Sequence, residues 1–187
     1  MKISPVIAAV WDFRRDREQL EKYTGNTVFI LKTDLISLQG NIKFLRKLGK
    51  KAFLDIDFVE GLSNDEYALR YATLNGVDGI ITVKPKMIEL CKKYAVPNVL
   101  RSFALDSNAL LKLSDTLNFL KPDYLEILPG SSFFKTREFI SKTHGNNLPP
   151  LIAAGLVESE PELQTLINGG AISVSTSKKD LWEIDYL

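Results

Sequence analysis

Short apolar runs alternate along the whole chain with amphipathic segments of helical period. The runs are rich in Val, Ile, Leu and Phe. They do not alternate between apolar and polar residues, as a strand with one solvent-exposed face does. Such runs are typical of parallel strands that are covered on both sides. The eight predicted strands are residues 6–10, 27–31, 52–56, 79–83, 98–103, 124–128, 151–154 and 171–174.

The segments between these runs predict helices, because their apolar residues recur at three- and four-residue spacing. The predicted helices are residues 35–48, 65–74, 86–94, 110–120, 133–140 and 161–167. Gly49 and Gly76 stand where helices are expected to end, since glycine readily adopts the left-handed conformation of a C-terminal cap.

Strict alternation of strand and helix predicts a parallel α/β sheet. Eight cycles without a break favour closure into a compact (β/α)8 TIM-like barrel that forms one domain over residues 1–187. The usual barrel of this type has about 250 residues, so the loops must be short. The alternative is an open, doubly wound sheet in which one or two of the runs are not strands.

Charge and composition exclude several classes of protein. The 24 basic and 23 acidic residues give a net charge of +1, which excludes a global field for nucleic acid or anionic membranes but leaves room for a local basic patch. Cys91 is the sole cysteine, so no intrachain disulfide forms, and it falls on an apolar helix face. The chain shows neither a signal peptide nor an apolar stretch of about 18 residues. We expect a cytoplasmic protein without a membrane partner.

Small and hydroxylated residues follow the last two predicted strands, where (β/α)8 barrels commonly hold phosphate. Glycine lets a ligand approach backbone N–H groups, and Ser and Thr hydroxyls with free amides bind anions. The alternative is a pair of ordinary turns with capping residues. The residues expected to bind phosphate are Gly155, Gly170, Ser175, Thr176 and Ser177.

Charged residues also stand on or directly after the apolar strands. Burial of a charge there costs free energy unless the residue is paired or faces a solvent-filled pocket. They are Lys32, Asp55, Asp57, Glu60, Arg101 and Glu126. Asp55 and Asp57 share a strand face if the period of two continues. An internal network would consist of Lys32, Asp57, Arg101 and Glu126. These residues form either structural ion pairs or the polar end of a ligand pocket, and the sequence leaves both interpretations open.

Catalytic machinery is sparse. Two carboxylates could act as general acid and base, but no nucleophile motif or metal-ligand cluster accompanies them, and the lone His144 falls in a predicted exposed loop. We expect no catalytic residue, no metal and no cofactor. The alternative is a phosphate-binding barrel enzyme of the isomerase or aldolase type, with Lys32, Asp57 or Glu126 in acid/base roles.

Five stretches resemble the glycerol-3-phosphate-responsive antiterminators, also called glycerol uptake operon antiterminator regulatory proteins. The first is Asp-Ile-Asp-Phe-Val-Glu-Gly-Leu-Ser at 55–63, followed by Asp65 and Glu66. The others are residues 78–82, 101–107, 121–130, and 170–177 with Leu181 and Trp182. The resemblance implies a (β/α)8-like fold, binding of glycerol 3-phosphate, and binding of a leader mRNA so that transcription passes a terminator. It implies no catalysis.

Matching positions imply phosphate contacts at Gly155, Gly170, Ser175 and Thr176, and pocket residues at Asp57, Glu60, Arg101 and Glu126. The chain departs from the family pattern at four positions. The family usually has His where Asp55 stands, Gly where Thr33 stands, Gln where Leu100 stands and Gly where Ala154 stands. These departures change the polar end of the pocket and narrow the approach to the phosphate site.

A near-neutral chain needs a local basic patch to hold RNA. Two candidate patches follow the first and fourth predicted strands, and both belong to the end of the barrel that carries the phosphate loops. The first of these patches lies in a predicted loop. The residues expected to contact RNA are Arg14, Arg15, Arg17, Lys84 and Lys86. The alternative is that these side chains are ordinary solvent-exposed charges that bind no RNA.

Overall fold

The computed structural model describes residues 3–145 and 147–184. Eight parallel strands close into a barrel in the order β1-β8-β7-β6-β5-β4-β3-β2. The predicted barrel is therefore confirmed, and the open-sheet alternative is excluded. The strands are β1 (Val6–Val10), β2 (Thr27–Ile30), β3 (Lys51–Asp55), β4 (Gly79–Thr82), β5 (Asn98–Phe103), β6 (Tyr124–Leu128), β7 (Leu151–Ala154) and β8 (Ser173–Thr176).

Within the described residues, seven α-helices surround the barrel. They are α1 (Phe13–Lys22), α2 (Leu38–Lys47), α3 (Glu66–Leu74), α4 (Pro85–Lys93), α5 (Ser107–Phe119), α6 (Phe133–His144) and α7 (Glu160–Asn168). Gly49 and Gly76 follow α2 and α3 with φ values of 69° and 88°, as expected for helix ends. Cys91 is buried on α4, in the layer between helices and strands. No helix within the described ranges has the length and apolarity needed to cross a membrane.

The prediction of a loop at Arg14, Arg15 and Arg17 is wrong, because these residues lie in α1. Asp12 caps this helix, and its side chain accepts hydrogen bonds from the backbone N–H groups of Arg14 and Arg15 at 3.0 and 3.3 Å. The helix buries only Phe13, Asp16 and Leu20, so few apolar residues mark it in the sequence and the Asp12 cap was the stronger indication.

His144 also lies in a helix, contrary to the predicted exposed loop, since α6 runs to this residue. Its Nε2 atom lies 3.1 Å from both the hydroxyl and the backbone oxygen of Ser114. His144 therefore ties the end of α6 to α5 and is half-buried.

The barrel interior is filled by alternate strand residues, as the period of two requires. Phe29 and Phe53 pack against each other there with ring centroids 5.6 Å apart. Gly79 on β4 makes this possible, because a Cβ atom at that position would lie 2.3 Å from the Phe53 ring. The interior is thus a packed core below the carboxyl ends of the strands.

The eighth cycle ends in a short 3-10 helix, Lys179–Leu181, where a regular barrel has an α-helix. The buried Trp182 follows, and its indole N–H donates to the Thr176 carbonyl at 2.8 Å. The Trp182 carbonyl accepts from the Thr24 N–H at 3.3 Å. A Lys179–Asp16 ion pair of 2.6 Å adds a link to α1. This compact segment covers the seam between β1 and β8.

A second, two-stranded sheet lies outside the barrel order. Thr33–Asp34 pairs in parallel with Val59–Glu60. These residues follow β2 and β3, so the small sheet extends the carboxyl end of the barrel on that side. It also fixes the position of the polar residues that directly follow both strands.

Candidate functional site

A cavity of about 370 Å³ opens at the carboxyl ends of the strands. This is the end at which (β/α)8 barrels carry their sites. The lining combines polar groups from the β5, β6, β7 and β8 ends with apolar groups from most of the ring. The lining residues are Ala9, Trp11, Leu31, Phe58, Arg101, Phe103, Glu126, Leu128, Ala154, Gly155, Leu156, Val157, Glu158, Ser175, Thr176, Ser177 and Lys178.

A buried cluster of three charged residues lies at the floor of the cavity. Arg101 and Glu126 line the cavity, whereas Asp55 and Asp57, also expected in the pocket, are not among its lining residues. Arg101 Nε donates to Glu126 Oε2 at 2.6 Å, and Arg101 Nη1 bonds the Asp55 carboxylate. All three side chains are almost fully buried. The expected network named Asp57 in place of Asp55, and that assignment is wrong. Arg101 and Glu126 form an ion pair and also line the cavity, and their contact with a ligand stays a prediction.

Asp57 points away from Arg101 because the chain leaves the strand before it. Residues Ile56–Phe58 form a 3-10 turn, in which the Asp55 side chain accepts from the Asp57 N–H. The period of two stops there, so the expectation that Asp55 and Asp57 share a face is wrong. The Asp57 carboxylate instead accepts from the Thr82 hydroxyl at 3.0 Å and from the Val83 N–H at 2.8 Å. Lys84 Nζ lies 3.4 Å from it.

Two carboxylates share one guanidinium in the floor cluster, and this affects proton binding. Burial raises the pKa of the Asp55 carboxyl to about 7. The Arg101 charge opposes the shift, while the charges of Asp57 and Glu126 add to it. The floor therefore changes its net charge near neutral pH.

Lys32 and Glu60 form an exposed ion pair, with Lys32 Nζ 3.0 Å from Glu60 Oε1. Neither residue lines the cavity, contrary to the expected ligand pocket. The reason is the small two-stranded sheet, whose second strand, Val59–Glu60, holds Glu60 beside the end of β2. Lys32 is likewise absent from the internal network.

The loop after β7 carries two consecutive residues of positive φ, Gly155 at 75° and Leu156 at 58°. The Gly155 carbonyl accepts from the Gly130 N–H at 2.9 Å, so the loop is anchored to the segment after β6. Glycine suits this conformation, whereas a leucine there is strained. Gly155 lies in the cavity as expected, and its contact with phosphate stays a prediction.

The segment after β8 presents three hydroxyls with different surroundings. The Thr176 hydroxyl is occupied, because it donates to the Val157 carbonyl at 2.8 Å and accepts from the Lys178 N–H at 3.0 Å. Ser175 is buried and points to the cavity, and Ser177 is exposed at its rim. Ser175 and Ser177 are therefore the hydroxyls that are free to meet a ligand, and their binding of phosphate remains a prediction.

Gly170 lies at the opposite end of the barrel, so its expected phosphate contact is wrong. It stands between the end of α7 and the start of β8, with φ 99°. The Arg137 guanidinium lies 3.0 Å from the place where a Cβ atom would stand. Gly170 is a turn residue at the amino end of β8, five residues before Ser175.

Sequence reasoning missed the apolar rim of the cavity. Trp11, Phe58 and Phe103 are 53%, 51% and 47% exposed, and Leu156 is 78% exposed. Each lies at or just after the end of a strand, which was the available signal, but only polar residues were considered there. Lys178 was also missed, although it directly follows the predicted hydroxyl segment.

The cations expected to contact RNA lie at the starts of two helices on the cavity side of the barrel. Arg14 and Arg15 are exposed in the first turn of α1. Arg17 differs, because its guanidinium lies 4.1 Å above the centre of the Phe44 ring. Lys84 precedes α4 and pairs with Asp57, while Lys86 is exposed on α4.

The closed parallel barrel and a cavity at the carboxyl ends of its strands define a (β/α)8-barrel protein with a candidate small-molecule site. The chain belongs to the glycerol-3-phosphate responsive antiterminator family, whose model matches residues 6–182.

Two solved structures of similar sequence carry names from this family. A glycerol uptake operon antiterminator-related protein from Thermotoga maritima is 37% identical with a TM-score of 0.86, covering 97% of this chain and 99% of that one. A glycerol uptake operon antiterminator regulatory protein from Listeria monocytogenes is 32% identical with a TM-score of 0.87, covering 96% and 95%. The curated relative YgcP of Escherichia coli, named as uncharacterized, is 28% identical over 98% of this chain and 94% of its own.

Several aldolases share the barrel at 10–14% identity, with TM-scores between 0.62 and 0.71. At such low identity the likeness concerns the fold alone, because this fold supports many chemistries.

Proposed function

We propose that this chain is a ligand-responsive antiterminator. It binds glycerol 3-phosphate or a similar phosphorylated small molecule in the cavity, and it binds a leader mRNA so that transcription continues past a terminator. The observation that carries the proposal is the family match over residues 6–182. The cavity at the carboxyl ends of the strands supplies a site of suitable chemistry for the ligand.

The phosphate group would bind at the loops after β7 and β8. Gly155 lets a phosphate oxygen approach the backbone closely, and the hydroxyls of Ser175 and Ser177 can donate to it. Lys178 at the rim adds a positive charge. On the floor, the Glu126 carboxylate can accept from a hydroxyl of the organic part while it keeps its bond to Arg101.

The lining favours binding over a Schiff-base aldolase reaction. A Schiff-base lysine reacts at neutral pH when it is desolvated or lies beside another cation. Among the described residues that line the cavity, Lys178 is the one lysine, and half of its side chain is exposed. Lys32, proposed for the enzyme alternative, lies outside the cavity. We therefore expect no steady-state turnover of triose or glycerol phosphates. Turnover that Glu126→Gln abolishes would support the enzyme instead.

Ligand binding is tested by calorimetric titration with glycerol 3-phosphate. Ser177→Asp places a negative charge at the proposed anion site, so it should weaken binding at least about tenfold. Ser131→Asp is the matched control, since Ser131 is exposed after β6 and does not line the cavity. Equal affinity in wild type and Ser177→Asp would contradict the proposed phosphate position.

RNA binding is tested with the leader transcript of the operon that the chain regulates, with and without glycerol 3-phosphate. Arg14, Arg15, Lys84 and Lys86 are the proposed contacts, and Arg17 contributes less because it stacks on Phe44. Four phosphate contacts predict a slope of roughly −3 for log K against log salt. The ligand should change RNA affinity by about 1–3 kcal/mol.

The comparison variants are Arg14→Ala with Arg15→Ala, and Lys84→Ala with Lys86→Ala. Arg17→Ala is the control in the first patch. Absence of leader binding by wild type at low salt with ligand present would refute the antiterminator proposal. Equal binding by every variant would retain the function and refute the surface.

A further inference from the structure

Three aromatic side chains stand half exposed at the mouth of the cavity. Trp11 directly follows β1, Phe58 follows β3 and Phe103 ends β5. Single exposed apolar residues are ordinary, whereas rings grouped around one opening mark a binding surface. The proposed phosphate site lies at the loops after β7 and β8, so the outer faces of these rings are available to a second partner.

The Trp11 ring lies beside the first of the two cationic patches. Trp11 directly precedes Asp12, the residue that caps α1. The first turn of this helix carries the exposed Arg14 and Arg15. An aromatic face and two guanidinium groups therefore come from one short stretch of chain at the rim.

The other two rings flank the second cationic patch. The residue before Phe58 is Asp57, whose carboxylate accepts from the Val83 N–H at 2.8 Å and lies 3.4 Å from Lys84 Nζ. On the other side of the patch, Phe103 and Val83 line a common groove. Rings and cations therefore alternate along this side of the mouth.

The rings and cations occupy one continuous arc of the barrel. The strand order places β1, β2, β3, β4 and β5 side by side, and the three rings come from the first, third and fifth of these strands. The second cationic patch follows the fourth. The acidic Glu158 lies at the rim after β7, outside this arc. A polyanion that follows the arc meets rings and cations in turn and avoids Glu158.

The charge of the arc is not fully compensated within the protein. Arg14 and Lys86 are exposed and form no ion pair with another described residue. Lys84 differs, because it is paired with Asp57. One uncompensated cation therefore remains at each end of the path between Trp11 and the start of α4.

An unpaired RNA strand has the chemistry that fits this arc. Its phosphates bind Arg and Lys side chains, and its bases stack on aromatic rings. In a duplex the bases are paired and stacked on one another, so exposed aromatic rings recognise unpaired nucleotides. A surface made only for duplex RNA would need the cations and not the rings.

We propose that the leader RNA is bound as an unpaired strand along this arc, with bases stacked on Trp11, Phe58 and Phe103. Its phosphates bind at the Arg14 and Lys86 patches. This inference rests on the proposed function, and it specifies the form of the RNA and the residues that contact its bases. It also places the RNA across the mouth of the cavity, above bound glycerol 3-phosphate. Because each then limits the escape of the other, the two raise each other's affinity by the same factor.

The test uses a labelled oligoadenylate of about twelve nucleotides, because stacking on aromatic rings tolerates any base. Fluorescence anisotropy at saturating glycerol 3-phosphate compares this strand with its duplex with oligouridylate. The single strand should bind at least about tenfold more tightly than the duplex. It should also quench the emission of Trp11, whereas the buried Trp182 is out of its reach.

The variants separate stacking from apolar bulk. Trp11→Leu should weaken oligoadenylate binding at least about fivefold, while Trp11→Phe keeps a ring and should stay within about twofold of wild type. Phe58→Leu and Phe103→Leu should act in the same direction as Trp11→Leu. Phe119→Leu is the matched control, because Phe119 is 91% exposed at the end of α5 and does not line the cavity. Calorimetry with glycerol 3-phosphate ensures that every variant is compared at saturation with the ligand.

The outcomes separate this inference from the proposed function. Equal affinity for strand and duplex, or equal binding by wild type and Trp11→Leu, would overturn the inference. So would binding of the leader transcript without binding of oligoadenylate, and each of these results leaves the antiterminator function in place. Failure of both the oligonucleotide and the leader transcript to bind would overturn both proposals. Trp11 that becomes shielded from acrylamide as the protein concentration rises, without RNA, would assign the rings to a contact between copies of the chain and overturn the inference.

Discussion

Arg101 and Glu126 are directly opposite each other in the β5–β6 ladder, and their side chains meet inside the barrel with Nε 2.6 Å from Oε2. The strand register places the two residues side by side, within reach of each other. Asp55 then reaches the same guanidinium from β3. A buried cluster with two carboxylates and one cation depends strongly on the cation.

Removal of that cation should strongly destabilise the protein. Arg101→Met leaves Asp55 and Glu126 buried without a counter-charge, and we expect a loss of about 3–5 kcal/mol in the free energy of unfolding. Lys32→Met is the control, because it breaks an exposed pair with Glu60 that contributes under about 1 kcal/mol. Urea denaturation at pH 8 measures both. A loss in Arg101→Met no larger than that in Lys32→Met would show that the cluster does not depend on Arg101.

The stability of the protein should depend on pH through Asp55. Its pKa is about 7 in the folded protein and near 4 in an unfolded chain, so between these values the folded state holds a proton that the unfolded state has released. Stability therefore falls as pH rises through this range.

Asp55→Asn carries no such proton, and wild type should lose about 1–3 kcal/mol relative to it between pH 5 and pH 8. Denaturant unfolding at several pH values measures the difference. The exposed Asp180→Asn variant should keep the wild-type slope, because Asp55 is still present. Parallel pH profiles for wild type and Asp55→Asn would refute the raised pKa.

Leu156 and Ala95 are non-glycine residues of positive φ, at 58° and 53°. Replacement by glycine relieves a left-handed penalty of about 1–2 kcal/mol but adds roughly 0.5–1 kcal/mol of backbone entropy to the unfolded chain. Each variant should therefore gain about 0.5–1 kcal/mol in stability by thermal unfolding. Leu156→Gly should weaken binding of glycerol 3-phosphate and Ala95→Gly should not, since Leu156 lines the cavity. If both variants bound the ligand more weakly, the loss would come from a general loosening of the structure and not from the cavity.

The two tryptophans report on different regions. Trp11 is half exposed at the mouth, whereas Trp182 is 1% exposed and bonds the Thr176 carbonyl. Acrylamide should quench the emission of Trp11, and Trp11→Phe should remove most of the quenchable signal with little change in stability. Trp182→Phe should instead cost about 1–3 kcal/mol, because a buried carbonyl loses its donor. Equal quenching in the two variants would contradict these placements.

The barrel was predictable because its strands are buried on both faces and therefore appear as separate apolar runs. β1, β5, β6 and β7 even begin and end at the predicted residues. The start of β8 was predicted two residues early, since the N–H of Ala171 still belongs to the end of α7 and donates to the Leu166 carbonyl. Helix α1 was missed because only two of its ten residues, Phe13 and Leu20, are apolar.

The site was less predictable, because its geometry depends on where strands stop. The partner of Arg101 is Asp55 and not Asp57, and a 3-10 turn decides this. The error at Gly170 came from counting a residue before the strand as if it lay after it. Trp11, Phe58 and Phe103 lie at or after the ends of three strands that are distant in sequence, so only the folded ring brings these rings together at the cavity rim.

The seam between β1 and β8 also constrains how the molecule can be made. Val6 pairs with Val174, and the Val174 N–H donates to the Pro5 carbonyl at 2.8 Å. During synthesis, one edge of β1 therefore stays unpaired until β8 has left the ribosome. Contacts of such long sequence separation slow folding, and open strand edges favour aggregation. A nascent chain halted before Ser173 should depend on chaperones, whereas the released chain closes its ring without them.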